Sequence, residues 1–259
     1  CERSRREVQP TMTDKILQTT DLTKQFGALT ANDEISLSID RGEIRGIIGP
    51  NGSGKTTFFN TVTGFYKPDG GSVHFDGKEV TGWKPYRLAR RGLGRTFQIV
   101  SPFKNMTVRQ NMLAVQTDDG RSREEKRNRA EEIMEFLEID HIANNEARGM
   151  SGGQQKLLEL GRVLMLDPEL VMLDEPAAGV NPALESRIMD HIHELNRDGT
   201  TFVVIEHDMH VMKTLADSVS VFDSGSHITQ GNFTDISQDD AVREAYLGGT
   251  TAEEDGVPI

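Results

Sequence analysis

The chain has 259 residues, 36% of them hydrophobic and 27% charged, with a formal net charge of −12. That is enough apolar material for one large domain or two small ones, and the acidic balance argues against a nucleic-acid binder, which is usually basic. Cys1 is the only cysteine, so no internal disulfide can form and a cytosolic setting is the simple expectation; no run of 18 apolar residues is available to cross a bilayer.

The first eleven residues carry Arg3, Arg5 and Arg6 but no apolar stretch, so they do not read as a secretory signal. Residues 1–14 read as a disordered leader, with Met12 as the natural start. Ile16 to Leu22 is predicted as a strand. Ile35, Leu37 and Ile39 alternate with Ser36, Ser38 and Asp40, the period-two pattern of a strand with one wet face. Between them lies Phe26. An aromatic upstream of a phosphate loop could stack on a purine, but from the residues alone a core or edge position is the stronger reading.

Gly42 to Ile48 reads as a short buried strand. It feeds Gly49-Pro50-Asn51-Gly52-Ser53-Gly54-Lys55-Thr56-Thr57, which fits the phosphate-loop pattern G-x-x-x-x-G-K-[ST]. Residues from Thr57 to Val62 then open a helix. A strand, a glycine-rich turn and a helix start aim several backbone N–H groups at one point, where the helix dipole adds positive potential. Lys55 supplies a full charge for the β- and γ-phosphates, and the Thr56 hydroxyl is placed for Mg²⁺. Next, Val73-His74-Phe75 and Lys78-Glu79-Val80 flank Asp76-Gly77, a hairpin with a two-residue turn.

From about Tyr86 the character changes. A short basic helix (Arg87, Arg90, Arg91) precedes a strand-like Gly94 to Val100 containing Gln98. Thr107 to Val115 and Arg121 to Leu137 are predicted helices, the second with an apolar stripe of Ile133, Phe136 and Leu137. Residues from about 87 to 165 therefore read as a mostly helical lobe inserted in an α/β domain. Ser151-Gly152-Gly153-Gln154 opens a long amphipathic helix; it is a second plausible anion site, although alone it reads as a helix start with glycine caps.

Leu170 to Pro176 is an apolar run ending in Asp174 and Glu175. Two acids at the carboxyl end of a buried parallel strand, in a chain with a phosphate loop, are where Mg²⁺ is held. Asn181-Pro182 caps a helix on which His191 and His193 are expected at the surface rather than as metal ligands. Thr201 to Ile205 is another strand, and it delivers His207 to a carboxyl edge. A strand–turn–strand from Ser218 to Gln230 and a last helix to Leu247 follow, with residues 249–259 as a flexible tail.

The order of the phosphate loop, Gln98, Ser151 to Gln154, Leu173-Asp174-Glu175-Pro176 and His207 resembles the ATP-binding cassette (ABC) ATPases, over residues 15–248. Thr63-Gly64-Phe65-Tyr66-Lys67-Pro68, Arg95-Thr96-Phe97-Gln98 and Glu206-His207-Asp208-Met209 look most like the branched-chain amino-acid importer ATPases. The resemblance implies an α/β phosphate-loop NTPase core, a mixed sheet with antiparallel N-terminal strands (15–86 and 166–248), with the helical lobe at 87–165. It implies ATP and Mg²⁺ as ligands. Phe26 would stack on adenine, and Asn51, Gly52, Ser53, Gly54, Lys55, Thr56 and Thr57 would hold phosphate. Thr56, Gln98 and Asp174 would serve Mg²⁺. Glu175 would be the general base, helped by His207 and Gln98. Ser151, Gly152, Gly153, Gln154 and Asn181 would act across a head-to-tail homodimer or heterodimer. Met150 stands where many members have Leu, and Asn181 where many have Asp.

The implied partners are transmembrane permease subunits and a separate substrate-binding protein, with no nucleic acid, at the inner face of the cell membrane. The alternatives are an exporter ATPase of the lipopolysaccharide-export kind and a non-transport cassette ATPase. A small-molecule kinase or GTPase would not need Ser151 to Gln154 or His207.

Overall fold

The structure, a computed structural model, describes residues 15–96, 102–117, 120–239 and 242. The expectations for the leader, for Gln98, for the tail and for the last helix beyond Gln238, apart from residue 242, lie outside the described residues.

Two sheets carry the fold. In the first, β1 (Lys15–Phe26), β2 (Leu29–Asp40), β4 (Gly70–Phe75) and β5 (Lys78–Glu79) are antiparallel in the order β2-β1-β4-β5. The alternation in β2 works as its pattern predicts: Ile35, Leu37 and Ile39 are buried while Glu34 and Ser36 face out. The Asp76-Gly77 hairpin is formed with both residues at positive φ (48° and 68°), the twist that a two-residue turn needs.

The second sheet holds β3 (Ile44–Ile48), β6 (Leu93–Arg95), β7 (Leu170–Asp174), β8 (Thr201–Ile205), β9 (Ser218–Asp223) and β10 (Ser226–Gly231) in the order β10-β9-β3-β8-β7-β6. All neighbours are parallel except β10, an antiparallel edge. β3, β7 and β8 are buried at every position, as near-continuous apolar strands covered on both faces should be. Phe58 and Phe59 of α1 (Lys55–Val62), with Ile47 and Phe75, fill the space on one face, between the two sheets. The other face packs on α5 (Gly152–Leu164), α6 (Pro182–Arg197) and α7 (Met209–Leu215), and beyond them α3 (Val108–Leu113) and α4 (Arg123–Phe136). Each fully buried Phe or Leu in these layers contributes roughly 1.5–3 kcal/mol relative to exposure.

Two expectations change. The segment at 93–95 belongs to the sheet, where Gly94 pairs with Val171, so the lobe does not begin at 87 on this side. The reason is the small Gly94: a Cβ there would lie 2.4 Å from a Val163 methyl, so only glycine lets α5 close over this edge strand. His191 is 7% exposed rather than at the surface; its ring meets Phe136 at 4.8 Å, because α6 is covered on that side by the end of α4.

Candidate functional site

The carboxyl ends of β3, β8 and β7 lie side by side, so three segments distant in sequence open on one edge of the sheet. β3 delivers the phosphate loop, β7 delivers Asp174 and Glu175, and β8 delivers Glu206 and His207. Asn51 to Thr57, Glu175 and His207, together with Phe26, Thr30 and Gly225, line a cleft of about 610 Å³, with Asp174 and Glu206 buried beside it.

The loop ends on Gly54 at φ 97°, in the left-handed region, as the N-cap of α1. A Cβ there would meet the Ala31 carbonyl oxygen at 2.4 Å and the Asn32 amide at 2.6 Å. Asn32, fully buried, instead donates to the Gly54 carbonyl at 3.1 Å and braces the turn from below. Lys55 is buried; its Nζ donates to the carbonyls of Gly49 (2.7 Å) and Pro50 (2.9 Å). Burial pulls its pKa below the ordinary value, partly opposed by Glu175 and Asp174. Thr56 faces the cleft and is exposed, and Asn51 and Gly52 form its open rim.

Asp174 is buried, and one carboxylate oxygen takes a 3.4 Å contact from Arg95. Its other oxygen, Oδ1, is buried without a hydrogen-bond partner. Burial raises its pKa, and Arg95 counters part of that rise. Oxygen donors suit Mg²⁺. In donor chemistry the orphaned oxygen and the Thr56 hydroxyl suit such an ion, although among the described residues no group of three or more His, Cys, Asp or Glu side chains could hold a metal unaided. Phosphate oxygens would have to complete the site.

Glu175 sits at φ 51°, a left-handed position costly for a non-glycine residue, held by its N–H on the Ile205 carbonyl (2.9 Å). Its Oε1 lies 3.0 Å from His207 Nε2. Lys156 donates to the Glu175 carbonyl oxygen, and buried Glu206 accepts from Ala177 N–H at 2.8 Å, so the turn after β7 is fastened at several points. Phe26 is 44% exposed, edge-on to Tyr66 at 5.2 Å with Lys24 Nζ 5.3 Å from its ring, and Asp69 pins Lys24.

The second glycine element stands apart. Ser151 and Gln154 form a reciprocal capping box at the start of α5, and Ser151 and Gly152 are exposed. Gly153 is buried against Leu184, whose Cδ2 would lie 2.0 Å from a Cβ there. Gln154 and Asn181 line a different cleft, with Leu184 and Arg187. Within one chain, neither Ser151 to Gln154 nor Asn181 lines the phosphate-loop cleft. Sequence reasoning missed Arg95, Lys156, Asn32 and Glu206. Arg95 had a signal, a lone cation beside the Gln98 segment; the others act through backbone contacts that spacing does not reveal.

A parallel sheet with a glycine-rich phosphate loop at one strand end and an acidic pair two strands away defines a phosphate-loop ATPase. The ABC transporter family model matches residues 32–178. A probable branched-chain amino acid transport ATP-binding protein LivG of Archaeoglobus fulgidus is 41% identical, covering 92% of this chain and 98% of its own. The ADP conformation of an ATP-binding cassette of an ABC transporter superposes with a TM-score of 0.82 at 38% identity, over 90% of this chain and 99% of that one. A dimeric cassette bound to ADP and phosphate in a post-hydrolysis state gives 0.76 at 27% identity, over 84% and 98%. The chain belongs to the ABC transporter family and is its ATP-binding, ATP-hydrolysing cassette.

Proposed function

We propose that this chain powers the uptake of branched-chain amino acids or similar polar small molecules, as a peripheral subunit on the inner face of a membrane. The name of the Archaeoglobus relative supports the substrate class, and no helix among the described residues is long and apolar enough to cross a membrane itself. The observation that carries the catalytic part is the Glu175–His207 pair facing the phosphate loop across one cleft.

In this reading Lys55 and the N–H groups of residues 51–57 bind the phosphates, and Phe26 stacks on the base. Thr56 and Asp174, with Gln98, would hold Mg²⁺, which would neutralise charge on the β- and γ-phosphates. Glu175 takes a proton from water as its oxygen attacks the γ-phosphorus; the bridging P–O bond breaks and ADP leaves. His207 holds the carboxylate in place and meets the γ-phosphate. Ser151 to Gln154 and Asn181 complete the site of a second copy or of a related cassette, as the exposure of Ser151, Gly152 and Asn181 away from the phosphate loop favours. The lobe, entered after β6, passes the motion on. A groove of about 340 Å³ between Tyr86, Leu88 and Arg95 on the core and Val115 and Arg162 on the lobe side would receive a permease segment.

The test is reconstitution in proteoliposomes with the cognate permeases and binding protein. Hydrolysis should rise when the binding protein carries leucine, isoleucine or valine. Hydrolysis indifferent to all three would refute the substrate class, and export of lipid would favour the exporter alternative.

A further inference from the structure

In a chain of net charge −12, residues 77–91 hold five cations, Lys78, Lys84, Arg87, Arg90 and Arg91, against one anion, Glu79. Arg91 is committed to Asp76 at 2.8 Å. Lys78, Lys84 and Arg87 are exposed and, among the described residues, meet no carboxylate. Two of them lie over an aromatic ring instead: Lys78 Nζ is 5.2 Å and Arg87 Cζ 4.2 Å from the Trp83 ring. Arg90 Cζ sits 5.6 Å from the Tyr86 ring, which is 60% exposed.

A cation over a ring keeps its charge available, because the ring quadrupole attracts it without neutralising it. The outcome is a face of cations and half-open aromatic rings on an otherwise acidic molecule. Cationic side chains with Trp and Tyr beside them are the composition that settles at membrane headgroups, where rings sit at the interface and cations meet phosphate. The face also adjoins the groove assigned above to the permease, since Pro85, Tyr86, Leu88 and Ala89 line that groove.

We propose that Lys78, Trp83, Lys84 and Arg87 form a docking face for an anionic lipid surface. Its orientation toward the bilayer rests on the permease reading; its chemistry does not. Contact with headgroups would hold the cassette close under the membrane and keep the groove turned toward the permease.

Co-sedimentation of the purified full chain with phosphatidylcholine vesicles, with and without phosphatidylglycerol, tests this. Binding should require phosphatidylglycerol and weaken as salt shortens the screening length. At roughly fivefold per cation near an anionic surface, Lys78→Glu/Lys84→Glu/Arg87→Glu should lose on the order of 100-fold or more in affinity, and Lys84→Glu alone about fivefold or more. ATP hydrolysis should be unchanged in both, because none of these side chains lines the nucleotide cleft. Failure of the wild-type chain to bind anionic vesicles overturns the proposal. So does equal binding by the triple variant, including the case where that variant loses only capture of the permease in detergent. Failure of the wild-type chain to capture its permeases in detergent would sink the permease reading and leave the vesicle result standing, so the two failures are distinguishable.

Discussion

At the scale of single residues, the proposed chemistry turns on Glu175 and Lys55, and the buried pair Arg95–Asp174 supports it. Glu175 is held in a left-handed backbone position with His207 on its carboxylate. Glu175→Gln should lower kcat by about 10²-fold or more while ATP still binds, and the ATP-bound dimer should accumulate in gel filtration. Full activity in that variant would remove Glu175 as the base. Lys55→Ala should weaken ATP binding by about 10- to 100-fold in calorimetry, the loss of one charge-assisted contact; an unchanged affinity would count against the phosphate loop. Arg95 and Asp174 are both nearly fully buried, so Arg95→Met should cost about 3–5 kcal/mol in denaturant unfolding by stranding a carboxylate. Adding Asp174→Asn should recover part of that cost, because the pair then has no charge to strand. Motif residues such as Lys55 and Glu175 were legible in the sequence. Arg95 was not assigned a role, because a buried ion pair joins positions 79 residues apart that no local pattern links.

At the scale of elements, periodicity and caps were legible and explain why the helices start where they do. Thr107, Ser122 and Ser151 each open a helix with a reciprocal capping box, and Asn181 caps α6 by accepting from Leu184 N–H at 3.0 Å. Asn181→Ala should cost about 1 kcal/mol. Asn181→Asp keeps an acceptor in place, so its melting temperature should stay close to that of the parent; any change in cooperativity between the two ATP sites would then report the added charge rather than lost structure. A large drop in melting temperature for Asn181→Asp would show that Asn181 does more than cap. Less legible was where the strand at Leu93–Arg95 belongs: the segment from Gly94 reads as strand-like, but three residues are too short to show a period, and only the pairing with β7 assigns it to the sheet rather than to the lobe.

At the scale of the whole molecule, the end of α4 meets α6 through the Phe136–His191 ring contact and an ion pair between Glu138 and Arg187. Burial pulls the His191 pKa below its ordinary 6.5, with Glu138 opposing and Arg187 adding to the shift. Burial depresses His227 likewise. A histidine depressed in the fold takes up its proton more readily when unfolded. Stability is therefore complete above about pH 6.5 and falls as pH drops below it. The melting temperature should decline on acidification through that range. His191→Phe should flatten the decline, and a slope unchanged in both His191→Phe and His227→Phe would refute the assignment.

By itself the sequence determined the motif order, the alternating and buried strands, the hairpin and the helix starts, because spacing and capping are local and each residue's neighbours in the chain supply the partners. Only the tertiary structure decided which strands lie side by side. The order β3-β8-β7 brings Lys55, His207 and Glu175 to one edge, although more than 150 residues separate the first from the second. It also left Ser151 to Gln154 and Asn181 on a surface away from the phosphate loop, since the packing of Gly153 on Leu184 ties that helix start to α6. Strand order and helix docking are non-local choices, made by burying apolar faces together, and no spacing along the chain encodes them.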